Sequence, residues 1–384
     1  MDPLKPGDRR ILERHDFPAL FQALQAKGYQ IVGPTLHDGA IVYDRLHGVD
    51  DLPIGWTDRQ GAGKYRLERR SDEALFGYTV GPFSWKKFLF PARERLWTAS
   101  RDGSSFTITP EPVDGPSLAF LGMRACELAA VAVQDRVFMG GPVADPGYAA
   151  RRRGILRIAV QCGQAGGTCF CVSMGTGPGV RQGADLVLTE ILGEGRHYFL
   201  IEVGSPEGAA VLGDLPLKPA AAADATRAET IVAHTAASMG RTLDTEGIHD
   251  VLMTNLDHPR WEVVARRCLS CTNCTMACPT CFCSNQEEVP SLSVEKVERW
   301  RRWDSCFNLG LTEMHGQAVR KTTMSRYRQW LTHKLATWQD QFGTSGCVGC
   351  GRCITWCPVG IDLTEEVAAI RAVSPAPATS EEKK

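Results

Sequence analysis

Cys268-Leu-Ser-Cys271-Thr-Asn-Cys274-Thr-Met-Ala-Cys278-Pro279 and Cys347-Val-Gly-Cys350-Gly-Arg-Cys353-Ile-Thr-Trp-Cys357-Pro358 both spell C-x2-C-x2-C-x3-C-P. Three thiols separated by two residues each come from one tight loop, whose small and polar residues let the backbone wrap a cuboidal [4Fe–4S] cluster. The fourth cysteine opens the next element and suits the neighbouring cluster, while the proline after it stops the loop winding on as helix. The spacing predicts one cluster on Cys268, Cys271, Cys274 and Cys357, and a second on Cys347, Cys350, Cys353 and Cys278. Structural zinc sites use two cysteine or histidine pairs across a longer spacer, which four crowded cysteines and a proline match poorly. A disulfide framework is disfavoured too, because the chain is long and its cysteines are crowded rather than dispersed.

The remainder bounds the setting. A chain of 384 residues has room for two or three domains, and a formal charge of −1 points to neither nucleic acid nor an anionic membrane. No stretch approaches the roughly 18–20 apolar residues of a spanning helix. Arg9 and Arg10 lack the apolar region of a twin-arginine export signal behind them, so a cytoplasmic protein is expected. Fifteen cysteines in a reducing compartment read as metal ligands.

Taken in order, Asp16 reads as a helix cap before Pro18, Leu20, Phe21 and Leu24. Strands are expected over residues 29–32, 40–43, 118–122 and 155–160, with a helical run over 128–137 and a hairpin over 184–189 and 197–202. The aromatic and lysine-bearing stretch Gly81 to Pro91 reads as a partly buried strand edge. Strand–helix–strand rhythm argues for an N-terminal α/β domain with functional groups at strand ends. Residues 216–225 read as a connector, with helices following around 227–239, 246–253 and 260–267. The stretch 298–306, rich in arginine and tryptophan, suits intramolecular ion pairing or subunit docking better than single-stranded nucleic acid. Residues 325–341 pattern as an amphipathic helix, with Tyr327, Trp330, Leu331, Leu335 and Trp338 on one face. The fold class is α+β: an α/β N-terminal domain over 1–214, linker and helices over 215–266, a helical, ferredoxin-like dicluster domain over 267–370, and a disordered tail over 371–384.

A third set of thiols lies in the N-terminal half. Cys162, Cys169 and Cys171 share a glycine-rich loop after one strand, and Cys126 follows another. Were those strands adjacent, all four would gather where α/β folds place ligands, and a third cluster on Cys126, Cys162, Cys169 and Cys171 is expected. The bland alternative is four packing cysteines. A competing ligand set would recruit Cys281, Cys283 or Cys306. The glycines carry no phosphate-binding or dinucleotide fingerprint.

Cys278-Pro-Thr-Cys-Phe-Cys283, Trp303-Asp-Ser-Cys-Phe307, the run from Arg326 and Phe342 to Cys353 together resemble one family, as do Gly122 to Cys126 and Gly167 to Gly175. It comprises the iron–sulfur beta subunits of cytoplasmic NAD(P)-linked [NiFe] hydrogenases (sulfhydrogenases) and their counterpart in anaerobic sulfite reductase. The resemblance covers most of the chain. It implies a relay that passes electrons through [4Fe–4S] clusters, linking a flavin- and nucleotide-binding subunit to a catalytic subunit, with the hydrogenase type favoured. The long insert between Cys278 and Cys347 departs from small ferredoxins. Other readings are that iron–sulfur component of anaerobic sulfite reductase, a sulfur- or polysulfide-reducing subunit using Cys281, Cys283 or Cys306, and an iron–sulfur sensor. No Ser/His/Asp or paired-carboxylate constellation stands out, so the chain is not expected to be catalytic alone.

Overall fold

The computed structural model describes residues 3–112, 117–193, 195–293 and 295–373. Helix and strand are mixed, and the largest element is an eight-stranded sheet. Its order is Lys218–Pro219, Arg9–Glu13, Arg196–Val203, Leu186–Gly193, Ile155–Val160, Leu118–Met123, Gln30–His37 and Ala40–Leu46. The four strands from Leu186–Gly193 to Gln30–His37 run parallel, and the outer ones are antiparallel. Residue alternation explains why both faces are covered. Leu156, Ile158 and Val160 enter a core with Phe17, Leu20, Phe21 and Leu24 of the helix Phe17–Ala26. Ala159 enters the opposite core, with Phe120, Leu128 and Val131. Leu128 and Val131 lie on the helix Ala125–Met139, which follows the strand Leu118–Met123.

Several local expectations change. Asp16 holds the cap position, but its side chain makes no capping bond, lying 3.3 Å from His15 Nε2. Gly81 to Pro91 is not a strand edge: Lys86–Leu89 is a short helix, because Trp85, Leu89 and Phe90 must all turn into the core. The connector 216–225 contains the edge strand Lys218–Pro219, and a helix begins at Ala222. Residues 371–373 complete the helix Leu363–Val373, and the rest of the expected tail lies outside the described residues.

The insert between the two cysteine runs folds against the N-terminal half. Ser284–Pro290 and Lys296–Trp303 join Arg93–Asp102 and Ser105–Pro110 in a four-stranded antiparallel sheet. The basic stretch is spent internally: Arg301 binds Glu94 and Asp145, Arg299 binds Glu288, and Arg93 stacks on Trp300.

The remaining layer is helical. Thr323–Thr332 continues through a π-helical turn at His333–Thr337 into Trp338–Phe342. The expected helix is present, but its apolar residues do not share one face. Tyr327, Trp330, Leu331 and Leu335 pack with Trp261, Phe307 and Ile354, whereas Trp338 packs with Cys126, Val133 and Val348. A π turn inserts an extra residue into the helical repeat, which turns the residues after it to a new direction.

One ion pair joins the second cysteine run to the sheet. Arg352, between Cys350 and Cys353, binds Glu127 in the first turn of Ala125–Met139, and both are 1% exposed. Glu127 also accepts from Tyr43 Oη and Trp85 Nε1, each at 2.9 Å, and from the Arg124 backbone N–H at 3.0 Å. Arg352 donates further to the carbonyls of Gly81 (2.9 Å) and Phe83 (3.2 Å). Arg352→Met leaves Glu127 buried without its cation and should lower the free energy of unfolding by about 3–5 kcal/mol in urea titrations.

At the sheet's edge, Glu13 accepts from Arg196 at 2.6 Å and Lys218 at 2.9 Å. The hydrogen bond from Arg196, aided by Lys218 and opposed by burial, holds its carboxyl down at about 2. A folded-state value below the unfolded one means stability that is present above about 4.5 and lost as pH falls towards about 2. Glu13→Gln should therefore lower the thermal midpoint at pH 7, by about 1–2 kcal/mol of stability, and make no difference near pH 2.

Candidate metal centre

The two cysteine runs fold as matching loops. Ser270 and Thr272 have φ of 51° and 69°; Gly349 and Gly351, at the same places in the second run, have 65° and 75°. Left-handed backbone at these two positions turns the chain around the thiols, at a cost of roughly 1–2 kcal/mol for a residue with a Cβ. The first run bears that cost, while the second uses glycine. At Gly349 glycine is also required by space: a Cβ would lie 2.7 Å from the Cys171 backbone, and one at Gly351 2.4 Å from Thr168 Oγ1. In both loops the N–H two residues on points back at the first sulfur, Ser270 N to Cys268 Sγ at 3.4 Å and Gly349 N to Cys347 Sγ at 3.5 Å. Ile361 N likewise donates to Cys357 Sγ at 3.3 Å.

Thiols from opposite runs come together. Cys268, Cys271, Cys274 and Cys357 line one open pocket, walled by Phe307, Tyr327, Trp330, Ile361 and Leu363, and Cys353 reaches it from the second run. Burial pushes the Cys274 thiol well up, and Cys268, Cys357 and Cys271 add to the push. Cys353 is raised by burial and then by Cys347, Cys350 and Cys278. Burial takes Cys347 up to about 12, with Cys350 and Cys278 adding and Lys334 opposing. Cys357 of the second run thus lies with Cys268 and Cys274, and Cys278 of the first lies beside Cys347, Cys350 and Cys353.

The N-terminal thiols also gather. The strands Leu118–Met123 and Ile155–Val160 are adjacent and parallel, so Cys126 and Cys162 follow neighbouring strand ends. Arg124, 1% exposed, holds these ends by donating to the carbonyls of Phe76, Tyr78 and Gln161. Burial raises Cys126, reinforced by Cys171, Cys350 and Cys162. It likewise raises Cys169, with Cys171 and Cys162 contributing. The loop carrying Cys169 and Cys171 is fixed by Phe170 N to Gly349 O (2.8 Å), by Thr168 Oγ1 against Thr355 Oγ1 (2.7 Å), and by Arg241, which bridges Gly167 O (2.9 Å) and Asp362 (2.6 Å). Cys350 therefore lies beside both its own group and the N-terminal one.

The three cysteines outside these groups form two contacts, Cys281 with Cys278 and Cys283 with Cys306. A thiol contact with Cys281, together with Lys334, holds Cys278 well below the usual thiol range, and Cys281 is raised in return. Contact with Cys306 brings Cys283 down to about 7.

The donor chemistry fits iron–sulfur clusters. Donors are all sulfur, buried or half-buried except the exposed Cys271, with backbone N–H groups aimed at three of them and, as thiolates, a mutual repulsion that bound iron would relieve. Among the described residues no three His, Cys, Asp or Glu side chains converge closely enough for one metal ion. A cluster does not ask for that, since its ligands bind separate irons. Sequence reasoning missed Arg352, Arg124 and Lys334. The only local signal for Lys334 was a charge at position 334 between the apolar Leu331 and Leu335.

Residues 267–361 match the family model described as 4Fe-4S dicluster domain. Over 361 residues the chain is 27% identical to the sulfhydrogenase 2 subunit beta of Pyrococcus furiosus, covering 92% of this chain and 96% of that protein. No solved structure matches. No helix among the described residues is long and apolar enough to cross a membrane. The chain is thus similar over nearly its whole length to a sulfhydrogenase beta subunit, and part of it matches a 4Fe-4S dicluster domain.

Proposed function

We propose that this chain is the electron-transfer subunit of a cytoplasmic hydrogenase complex, linking a flavin- and NAD(P)-binding subunit to a catalytic subunit. The observation that supports the reading is that Cys357 lies with Cys268 and Cys274, Cys353 with Cys347, Cys350 and Cys278, and Cys126 with Cys171, Cys162 and Cys350. The first group is Cys268, Cys271, Cys274 and Cys357; the second is Cys347, Cys350, Cys353 and Cys278; the third is Cys126, Cys162, Cys169 and Cys171. A bound [4Fe–4S] cluster supplies a one-electron couple at each. The chain's own groups do the rest. Ser270, Gly349 and Ile361 direct N–H groups at the sulfurs. Phe307, Tyr327 and Trp330 give the first group an apolar wall. The contacts of Gly349 and Gly351 hold the third group against the second.

Division at 214 and 267 into an α/β part, a helical link and a dicluster part up to 370 marks where these duties change. The strands 284–303 pair across that division, which supports its parts working as one body. The curated relative is a sulfhydrogenase subunit, whereas no observation favours the sulfite reductase alternative.

Purification of the native complex tests the assignment: a flavoprotein and a nickel-containing subunit should accompany the chain, and a sirohaem protein in their place would overturn it. EPR of the anaerobically purified chain tests the interleaving. Cys357→Ser and Cys268→Ser should damage the same signal, and Cys278→Ser and Cys347→Ser the other. Iron analysis should give about twelve irons per chain, falling by about four in Cys169→Ser with the other two signals intact. A wild-type value near eight that the substitution does not change would leave the N-terminal cysteines structural.

A further inference from the structure

Two buried ammonium groups converge on the segment Cys278 to Cys283. Lys334 is 2% exposed, and its Nζ lies 3.2 Å from Cys278 Sγ, 3.5 Å from Cys281 Sγ, 3.2 Å from Gly346 O and 3.4 Å from Thr280 Oγ1. Lys86, 3% exposed and distant in sequence, donates to Cys281 O at 3.2 Å and sits 3.9 Å above the Trp303 ring. Neither pairs with a carboxylate among the described residues. Burying an ammonium without a counter-charge is costly, and carbonyls, a hydroxyl and an indole face supply only partial charges. Sulfur is the one element in reach that can carry the balancing negative charge.

The backbone is shaped for this contact. Lys334 lies in the π turn His333–Thr337, where the helical repeat takes an extra residue. Such turns recur at functional sites. Among the described residues no lysine lies in hydrogen-bond reach of the first thiol group, which feels Lys334 only at longer range through Cys274. Its sulfurs receive backbone N–H groups at Cys268 and Cys357, and its cavity walls are aromatic and aliphatic.

We infer that Lys334, backed by Lys86, is the counter-ion of the second thiol group and raises the reduction potential of the cluster held there above that of the first. Accepting an electron adds negative charge beside a fixed positive one in a medium of low dielectric, so the reduced form gains. Lys334 acts through the sulfurs and is a positioning residue for charge. An electron entering the relay would then come to rest on the Cys278 side. This inference rests on the clusters proposed above.

An EPR-monitored redox titration of the anaerobically purified, iron-loaded chain tests it, with the second cluster identified as the signal that Cys347→Ser removes. In Lys334→Met that signal should move to a lower midpoint and the signal lost in Cys268→Ser should move clearly less. Lys334→Arg, which keeps the charge, should restore most of the shift. Full iron content with an unmoved second signal in Lys334→Met would overturn the inference. If that variant does not fold, Lys86→Met, which leaves the π turn intact, takes its place: the same signal must fall, and an unmoved one overturns the proposal. Failure of the relay reading looks different, since the wild-type chain would then carry no paired cluster signals at all.

Discussion

The buried pair of Arg352 and Glu127 is the constraint on which the arrangement turns. Arg352 belongs to the loop of the second cysteine run, and Glu127 stands next to Cys126 at the head of a helix of the large sheet. A buried guanidinium and carboxylate are tolerated only when hydrogen bonds compensate their lost hydration, and here Tyr43 and Trp85 bond Glu127 while the carbonyls of Gly81 and Phe83 bond Arg352. The pair therefore tolerates little sliding. It sets the distance between the helical layer and the ends of the parallel strands. Gly349 and Gly351 then admit the Cys169–Cys171 loop at backbone contact.

What was legible in the sequence was local. The two cysteine runs state their own geometry, because loop wrapping and the onward-pointing fourth thiol are encoded within eleven residues. The parallel strands were legible too, since strands buried on both faces read as unbroken apolar runs. What escaped was non-local. Nothing near Glu298 announces that its strand pairs with residues 93–102, about two hundred positions earlier. Gly81 to Pro91 has strand-like composition, but a core demanding Trp85, Leu89 and Phe90 together bends it into a helical turn.

Lys334 illustrates the same limit on a finer scale. A lysine in an amphipathic helix reads as a solvated group, and the pattern around it assumes a constant 3.6-residue repeat. The π turn breaks that assumption, sending Lys334 inward and Trp338 to a different core. A buried lysine without a carboxylate is visible only once its surroundings are known.

The interleaved thiols also bear on the order in which such a protein matures as it leaves the ribosome. Cys268, Cys271 and Cys274 emerge long before Cys357, and Cys278 waits for Cys347, Cys350 and Cys353. Neither of the proposed four-sulfur groups is complete until residue 353 or 357 has been synthesised. The N-terminal four are all present by residue 171, yet their loop rests on Gly349 and Gly351, near the far end of the chain. Domains of a growing chain commonly fold N-terminal first. On the proposed assignment this topology postpones completion of every thiol group until residues 349–357 have been made, leaving a long interval in which the earlier cysteines wait for their partners.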